Sequence, residues 1–400
     1  MPDVLKGKEI FLGVTGSIAC YKSADLASKL TQAGAIVEVA MTRSATQFIA
    51  PLTFRSLTHR YVVTDLFDTN SELSIEHVAL ARRADILVVA PATANTIAKI
   101  AAGMADDPIT ATILATEAPI LIAPAMDGHM FENTATKENI ARLLSRGITI
   151  VGPVKGPLAS GQTGLGRMIE VPLLMDHIRL ILSRNGDLSG QTIVVSAGGT
   201  EEPIDPVRVI TNRSSGKMGY ALAKAARDRG AHVILVTAPT AISDLVGVEM
   251  VHVNTALEMC NAVQQAAASA QALIMSAAVA DYRPTSSATS KIKKGPKSLS
   301  IDLTRNPDIL GDISGNFIKV GFAAESDDIL ENARKKLSAK NLDFIVANDV
   351  TALDSGFGTD TNRVVILDRE GNADHLPLLS KQEVAHKILD RVEPLFVGLK

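Results

Sequence analysis

Cysteine is scarce: Cys20 and Cys260 are the only two in 400 residues. That count excludes a disulfide scaffold and a cysteine-based zinc site, and it fits a reducing, intracellular compartment, so a cytoplasmic protein is expected. Long apolar runs are missing too. The longest, such as 119–126, are far too short to span a bilayer. The first residues, Met-Pro-Asp-Val-Leu-Lys-Gly-Lys, lack the apolar stretch and small-residue cleavage site of a secretion signal. Neither sign of charge dominates: the formal net charge is -3, which gives no electrostatic case for nucleic acid or an anionic membrane as partner. Low-complexity tracts and short-period repeats are absent as well. What is present is an ordinary globular composition, 46% hydrophobic and 21% charged. Its length exceeds what one core usually covers, so two domains are expected.

Two blocks of alternating β-rich and helical stretches follow one another. In the first, strands are predicted at 9–14, 35–41, 85–90, 119–123 and 148–151, with helices at 17–33, 95–103, 108–116 and 134–146. These strands are almost wholly apolar, which predicts a parallel sheet covered by helices on both faces. Around 183–190 the pattern breaks into Ser-Arg-Asn-Gly-Asp-Leu-Ser-Gly, a polar stretch with turn chemistry. The alternation then restarts, with strands at 191–197, 232–237, 272–276, 317–322 and 343–347 and helices at 215–229, 256–270 and 327–340. The expected fold class is α/β, with two doubly wound, Rossmann-like domains spanning 1–187 and 188–400. A basic segment rich in Ser and Lys occupies 281–300; inside a compact domain such a segment is usually a functional flap or a mobile loop.

In the first block, strand 10–14 runs into Thr15-Gly16-Ser17-Ile18-Ala19 and then a helix. A small-residue turn there offers backbone N–H groups and the positive end of the helix dipole to a phosphate. Gly13 and Gly16 do not have the dinucleotide-fingerprint spacing, so this loop alone is a weak signal. Thr42 and Ser44 follow the next strand, Pro91, Ala92, Thr93, Ala94 and Asn95 the one after, and Met126 a further one. They put hydroxyls and amides at the carboxyl edge, where such sheets bind ligands. His77, alone in Ile-Glu-His-Val-Ala, reads by itself as a structural residue.

As a set, these stretches, with 103–107 (Gly-Met-Ala-Asp-Asp) and 164–168 (Gly-Leu-Gly-Arg-Met), resemble the homo-oligomeric flavin-containing cysteine decarboxylase family, which includes phosphopantothenoylcysteine decarboxylase. The resemblance covers about 8–180. It implies FMN as cofactor, with Gly16, Ser17 and Ile18 at its phosphate, and His77 as catalytic base. Two positions depart from the family. Asp127 stands where an Asn helps hold the substrate carboxylate, and Ser160 where a Cys delivers the proton. A serine hydroxyl is a far weaker acid than a thiol of pKa about 8.5. An ionised Asp127 about 4 Å from a carboxylate would cost about 4 kcal/mol at an effective dielectric of 20. Asp127 is therefore expected to be protonated, turned away or paired with a cation; protonated, it would donate to the carboxylate much as Asn does.

In the second block a strand ends in Gly198-Gly199-Thr200, and Thr211-Asn212-Arg213-Ser214-Ser215-Gly216-Lys217-Met218-Gly219 precedes a helix. A P-loop is rejected: Thr211 stands where that motif requires Gly, and Met218 replaces its Ser or Thr. What remains is a second small-residue helix start suited to phosphate. Ser276 to Tyr282 leaves another strand edge, Lys291-Ile292-Lys293-Lys294 lies on the basic segment, and Lys336 and Lys340 stand four apart on one helix, able to face one anion. With Asn306-Pro307-Asp308-Ile309 and Gly321-Phe322-Ala323-Ala324-Glu325, this combination resembles phosphopantothenate–cysteine ligase over about 188–395. The resemblance implies CTP as co-substrate, Mg2+ clamping the leaving pyrophosphate, Lys291 stabilising charge on the phosphate, and Asn212 at the reacting end of the substrate. It implies nucleotide contacts from Ala277, Asp281, Lys291, Asn306, Pro307, Asp308, Ile309, Phe322, Lys336 and Lys340. No metal ligands are assigned.

Both resemblances point to one biosynthetic sequence, toward coenzyme A. L-Cysteine is joined to 4'-phosphopantothenate through an acyl-cytidylate, and the product is decarboxylated to 4'-phosphopantetheine. The alternative keeps the ligase alone, with the flavoprotein half a scaffold or regulatory module. Relatives of the first half form trimers and ligase domains pair, which implies a homo-oligomer, a dodecamer built from trimers and dimers.

Overall fold

The computed structural model describes residues 3–66, 76–159, 161–294, 299–325, 329–349 and 358–399. Ser160 lies outside these residues, and so does the side chain of His77. The chain divides into two compact units, Pro2–Ser183 and Arg184–Lys400.

In the first unit, strands β1 (Glu9–Val14), β2 (Ile36–Met41), β3 (Val62–Val63), β4 (Ile86–Ala92), β5 (Ile120–Pro124) and β6 (Thr149–Ile150) form a parallel sheet ordered β3-β2-β1-β4-β5-β6. Helices α1 (Cys20–Gln32), α2 (Pro51–Thr58), α3 (Glu76–Arg83), α4 (Ala94–Ala102), α5 (Pro108–Ala115), α6 (Gly128–Glu132), α7 (Thr134–Ser145) and α8 (Val171–Leu182) join and follow the strands, with a ribbon of β7 (Val154–Pro157) and β8 (Thr163–Arg167) before α8. Strand alternation builds two cores. Ile10, Leu12, Val88 and Ala123 enter one, whereas Phe11, Leu87, Val89 and Ile122 enter the other. The sheet is thus buried on both faces, as its apolar strands predict. Helix α1 begins at Cys20 rather than 17 because 15–19 forms a turn, in which the Ser17 N–H donates to Thr15 O at 2.9 Å.

The second unit contains β9 (Thr192–Ala197), the hairpin β10 (Glu201–Pro203) and β11 (Val209–Thr211), α9 (Lys217–Arg227), β12 (His232–Thr237), β13 (Glu249–His252), α10 (Ala256–Ala267) and β14 (Ala272–Met275). A ribbon of β15 (Tyr282–Pro284) and β16 (Leu303–Arg305), then α11 (Ile309–Asp312), β17 (Ile318–Glu325), α12 (Ile329–Ala339) and β18 (Phe344–Asp349) follow. The chain closes with β19 (Thr361–Asn362), β20 (Val364–Asp368), β21 (Ala373–His375), β22 (Leu379–Ser380) and α13 (Lys381–Val392). The main sheet runs β13-β12-β9-β14-β17-β18-β20-β21. Its first six strands are parallel; β20 and β21 add an antiparallel edge. Capping boxes start two helices, Thr255 with Glu258 at α10 and Ser380 with Glu383 at α13.

Candidate active sites

In each unit the strand order reverses beside the first strand of its sheet, between β1 and β4 and between β9 and β14. Loops leaving those strands diverge there, which opens a crevice at the carboxyl edge.

The first-unit crevice is a cavity of about 580 Å³. Gly16, Ser17, Thr42, Ser44, Thr93, Ala94, Asn95 and Met126 line it, joined by Arg43 and Lys99. Its walls are tied through buried Thr15. The Thr15 hydroxyl donates to Pro91 O at 2.8 Å and accepts the Thr93 N–H at 3.0 Å. Gly16 must be glycine: a Cβ there would lie 2.4 Å from Ser44 Cβ. Asp107 starts α5 with a capping box and, with Asp106, pairs with Lys99 at 3.3 and 2.8 Å. The Asp106 hydrogen bond holds the Lys99 ammonium above its ordinary value despite a lowering by burial, with Asp107 reinforcing it.

Other sequence-assigned positions lie elsewhere. Ile18 is exposed and not among the lining residues; Pro91 and Ala92 are buried in β4. Asp127 is half-buried and caps α6, accepting the His129 N–H at 3.0 Å. That bond commits one carboxyl oxygen, Oδ1, to the start of α6. The 164–168 stretch packs on the same turn: Gly166 O accepts the Met126 N–H at 3.0 Å, and a Cβ on Gly166 would meet Met126 O at 2.2 Å.

These residues fit FMN. The close approach of Gly16 to Ser44 leaves a cradle that any Cβ would fill, lined by hydroxyls and the cation Arg43 for a phosphate, in a volume typical of cofactor sites.

The second-unit crevice is a cavity of about 680 Å³. It gathers Asn212, Ala277, Asp281, the 306–309 stretch, Phe322, Lys336 and Lys340. Asn212 donates from Nδ2 to Val279 O at 3.1 Å, and buried Asn306 donates from Nδ2 to Ala280 O at 2.8 Å, so both amides fix the loop after β14. Lys340 pairs with Asp308 at 2.8 Å. Burial pushes the Asp308 carboxyl up, but Lys340 and the Gly311 N–H outweigh it, and it sits below its usual range. Beneath them, Lys319 of β17 donates to Leu310 O, Ile313 O and Lys340 O at 2.8, 2.9 and 3.1 Å, and burial lowers its ammonium.

Sequence reasoning did not assign Lys217, Asn348, Asn362 or Lys381, which line the same cavity. Lys217 reaches Asp360 at 2.7 Å and Lys381 bonds Thr359 O; burial and the nearby Lys217 lower the Lys381 ammonium. Lys291 is exposed and is not among the lining residues. No cluster of three or more His, Cys, Asp or Glu able to hold a metal occurs among the described residues, and no helix among them is long and apolar enough to cross a membrane.

Comparison with known proteins finds two family profiles in the chain: "Flavoprotein" over 2–183 and "DNA/pantothenate metabolism flavoprotein C-terminal domain" over 188–395. The Coenzyme A biosynthesis bifunctional protein CoaBC of Vibrio parahaemolyticus is 45% identical over 399 residues, which cover 98% of this chain and 100% of that one. CoaBC of Bacillus subtilis is 45% identical over 400 residues, covering 98% of each. A crystal structure of the C-terminal domain of CoaBC is 41% identical, covers 53% of this chain and 99% of its own, and has a TM-score of 0.46. With near-complete coverage at that identity, the chain belongs to the CoaBC family of coenzyme A biosynthesis bifunctional proteins.

Proposed function

We infer that the second unit joins L-cysteine to 4'-phosphopantothenate using CTP, and that the first decarboxylates the product to 4'-phosphopantetheine. The observation that carries this reading is the second-unit cavity, where Asn212, Asp281, Asn306, Phe322, Lys336 and Lys340 meet from segments far apart in sequence. A carboxylate oxygen of phosphopantothenate attacks the α-phosphorus of CTP, and the bond to the departing pyrophosphate breaks. The cysteine amine then attacks the acyl carbon, loses a proton and releases CMP. Mg2+ accompanying the triphosphate would supply charge neutralisation for the departing pyrophosphate. Lys291 meets the charge that builds on phosphate, and Asn212 stands at the reacting end of the acid.

In the first unit, FMN when bound supplies reversible two-electron chemistry. Gly16, Ser17, Thr42, Ser44 and Arg43 would hold its phosphate, and Thr93, Ala94, Asn95 and Met126 would flank the remainder. His77 is the base by resemblance to the family, and Ser160 stands where the family has its proton-donating Cys. The protein is cytoplasmic and a homo-oligomer, a dodecamer of trimers and dimers. In a single chain Ile18, Tyr21, Phe48 and Leu52 are exposed near the flavin cavity, and Val207, Val209, Tyr282 and Leu303 on the second-unit ribbons, which supports both contacts.

The direct test supplies phosphopantothenate, cysteine, CTP and Mg2+ and follows pyrophosphate and CO2 together. Both are expected. Pyrophosphate without CO2 would leave a ligase carrying an inert flavoprotein domain; neither product would refute the reading.

Asp127 has its own test. Asn caps a helix about as well as Asp, so Asp127→Asn should leave the melting temperature unchanged. It also removes a carboxyl whose ionisation would repel the substrate carboxylate, so CO2 release should decline less on the alkaline side than in the parent. Superimposable pH profiles would take Asp127 out of the reaction.

A further inference from the structure

The segment carrying Lys291 is gripped at the neighbouring peptide. Asp205 Oδ2 accepts the Ile292 N–H at 3.1 Å, while Arg208 Nη2 donates to Ile292 O at 2.8 Å. The two gripping side chains are locked to each other, since Arg208 Nε donates to Asp205 Oδ2 at 3.0 Å. Asp205 Oδ1 is committed to the hairpin turn, accepting the Val207 and Arg208 N–H groups at 2.9 Å each. One more bond joins the same two segments: the Ala288 N–H donates to Ile204 O at 3.0 Å. The Asp205 side chain is 0% exposed although it lies on a turn. Its Arg208 partner, with the surrounding N–H groups, holds the carboxyl far below the usual range.

A carboxylate buried this completely depends on its partners to offset the cost of leaving water. It touches the turn, its arginine and the backbone of one residue on the basic segment. That residue is the immediate neighbour of Lys291. Lysine carries a flexible stem, so an untethered loop would leave its charge spread over many positions.

We propose that Asp205 is a positioning residue for ligation: with Arg208 it latches the Ile292 peptide to the β10–β11 turn and so fixes the point from which Lys291 reaches the phosphate. The proposal rests on the reading of Lys291 given above. The grip at Ile292 sets the origin of the lysine stem, and the stem then has only its own rotamers to search. Loss of the latch should lower the rate of the step that needs the cation and leave substrate affinity nearly unchanged.

The experiment uses the full chain with Asp205→Ala and Arg208→Lys, the second keeping the charge but losing the forked grip. Trypsin cleavage after Lys291, Lys293 or Lys294 should be roughly tenfold faster in both, because cleavage follows the population of the released segment. Turnover for pyrophosphate release should fall about 10–100-fold with KM for CTP within about threefold, the pattern of a group acting only in the transition state. CO2 release from supplied phosphopantothenoylcysteine, which belongs to the other unit, should stay at the parent rate and so reports intact protein. Added to Lys291→Gln, Asp205→Ala should cost nothing further, as coupled residues do in a double-mutant cycle. Parent-like cleavage in both variants overturns the latch. Faster cleavage with unchanged turnover overturns its role in positioning, as does a full additive loss in the Lys291→Gln background. Parent-like turnover of Lys291→Gln by itself overturns the reading of Lys291 and the positioning role with it, while the cleavage result still reports the latch, so the two failures are told apart.

Discussion

Lys291→Gln should slow pyrophosphate release by about 10²–10³, the usual loss when a charge-stabilising donor is removed. Glutamine keeps most of the stem and a hydrogen-bond donor, so what disappears is the charge. Three other lysines of the second unit are already engaged. Lys340 is paired with Asp308 at 2.8 Å, Lys319 spends its ammonium on three carbonyls, and Lys217 is paired with Asp360 at 2.7 Å. Lys291 is exposed and has no ion pair among the described residues. Its charge is therefore available when negative charge builds on the phosphate. Steady-state turnover checks this, with CO2 release from supplied phosphopantothenoylcysteine as the internal control. Turnover within threefold of the parent would remove Lys291 from the mechanism.

Ser17→Asp should give colourless protein that still makes phosphopantothenoylcysteine. A carboxylate about 4 Å from a phosphate charge costs about 4 kcal/mol at an effective dielectric of 20, roughly a thousandfold in affinity. Ser17 lines the cavity beside Gly16, where the turn is pressed against Ser44 and has little room to retreat. Gly16→Ala attacks the same cradle by bulk. Overpacking costs about 1–3 kcal/mol, so its flavin should be weakened rather than lost. Absorbance of the purified proteins and flavin released on denaturation measure both. Retained flavin in Ser17→Asp would put the phosphate somewhere else.

Much of this molecule was legible in its sequence, for identifiable reasons. Strands such as β4 are unbroken apolar runs, and the loops after them carry the small and hydroxylated residues that edge crevices use. Helix α8 escaped because Pro172 sits in its first turn, where proline is tolerated yet reads locally as a breaker. The antiparallel edge of β20 and β21 depends on pairing with β18, which no local pattern announces. The site shows the same division. Residues within motifs were found, but Lys381 joins the cavity across a separation of 164 from Lys217, and Asp205 meets Ile292 across 87. Only the folded chain makes them neighbours.

Each unit has its own pair of cores and its own crevice, and the lining residues of the two crevices do not overlap. Damage is therefore compartmented. A lesion in the packing around β1 removes one reaction, and a lesion around β9 removes the other. Two chains crippled in different halves still hold one sound copy of each crevice between them. In genetic terms, this polypeptide reads as two loci under a single reading frame, and defective alleles from opposite halves should complement one another in trans.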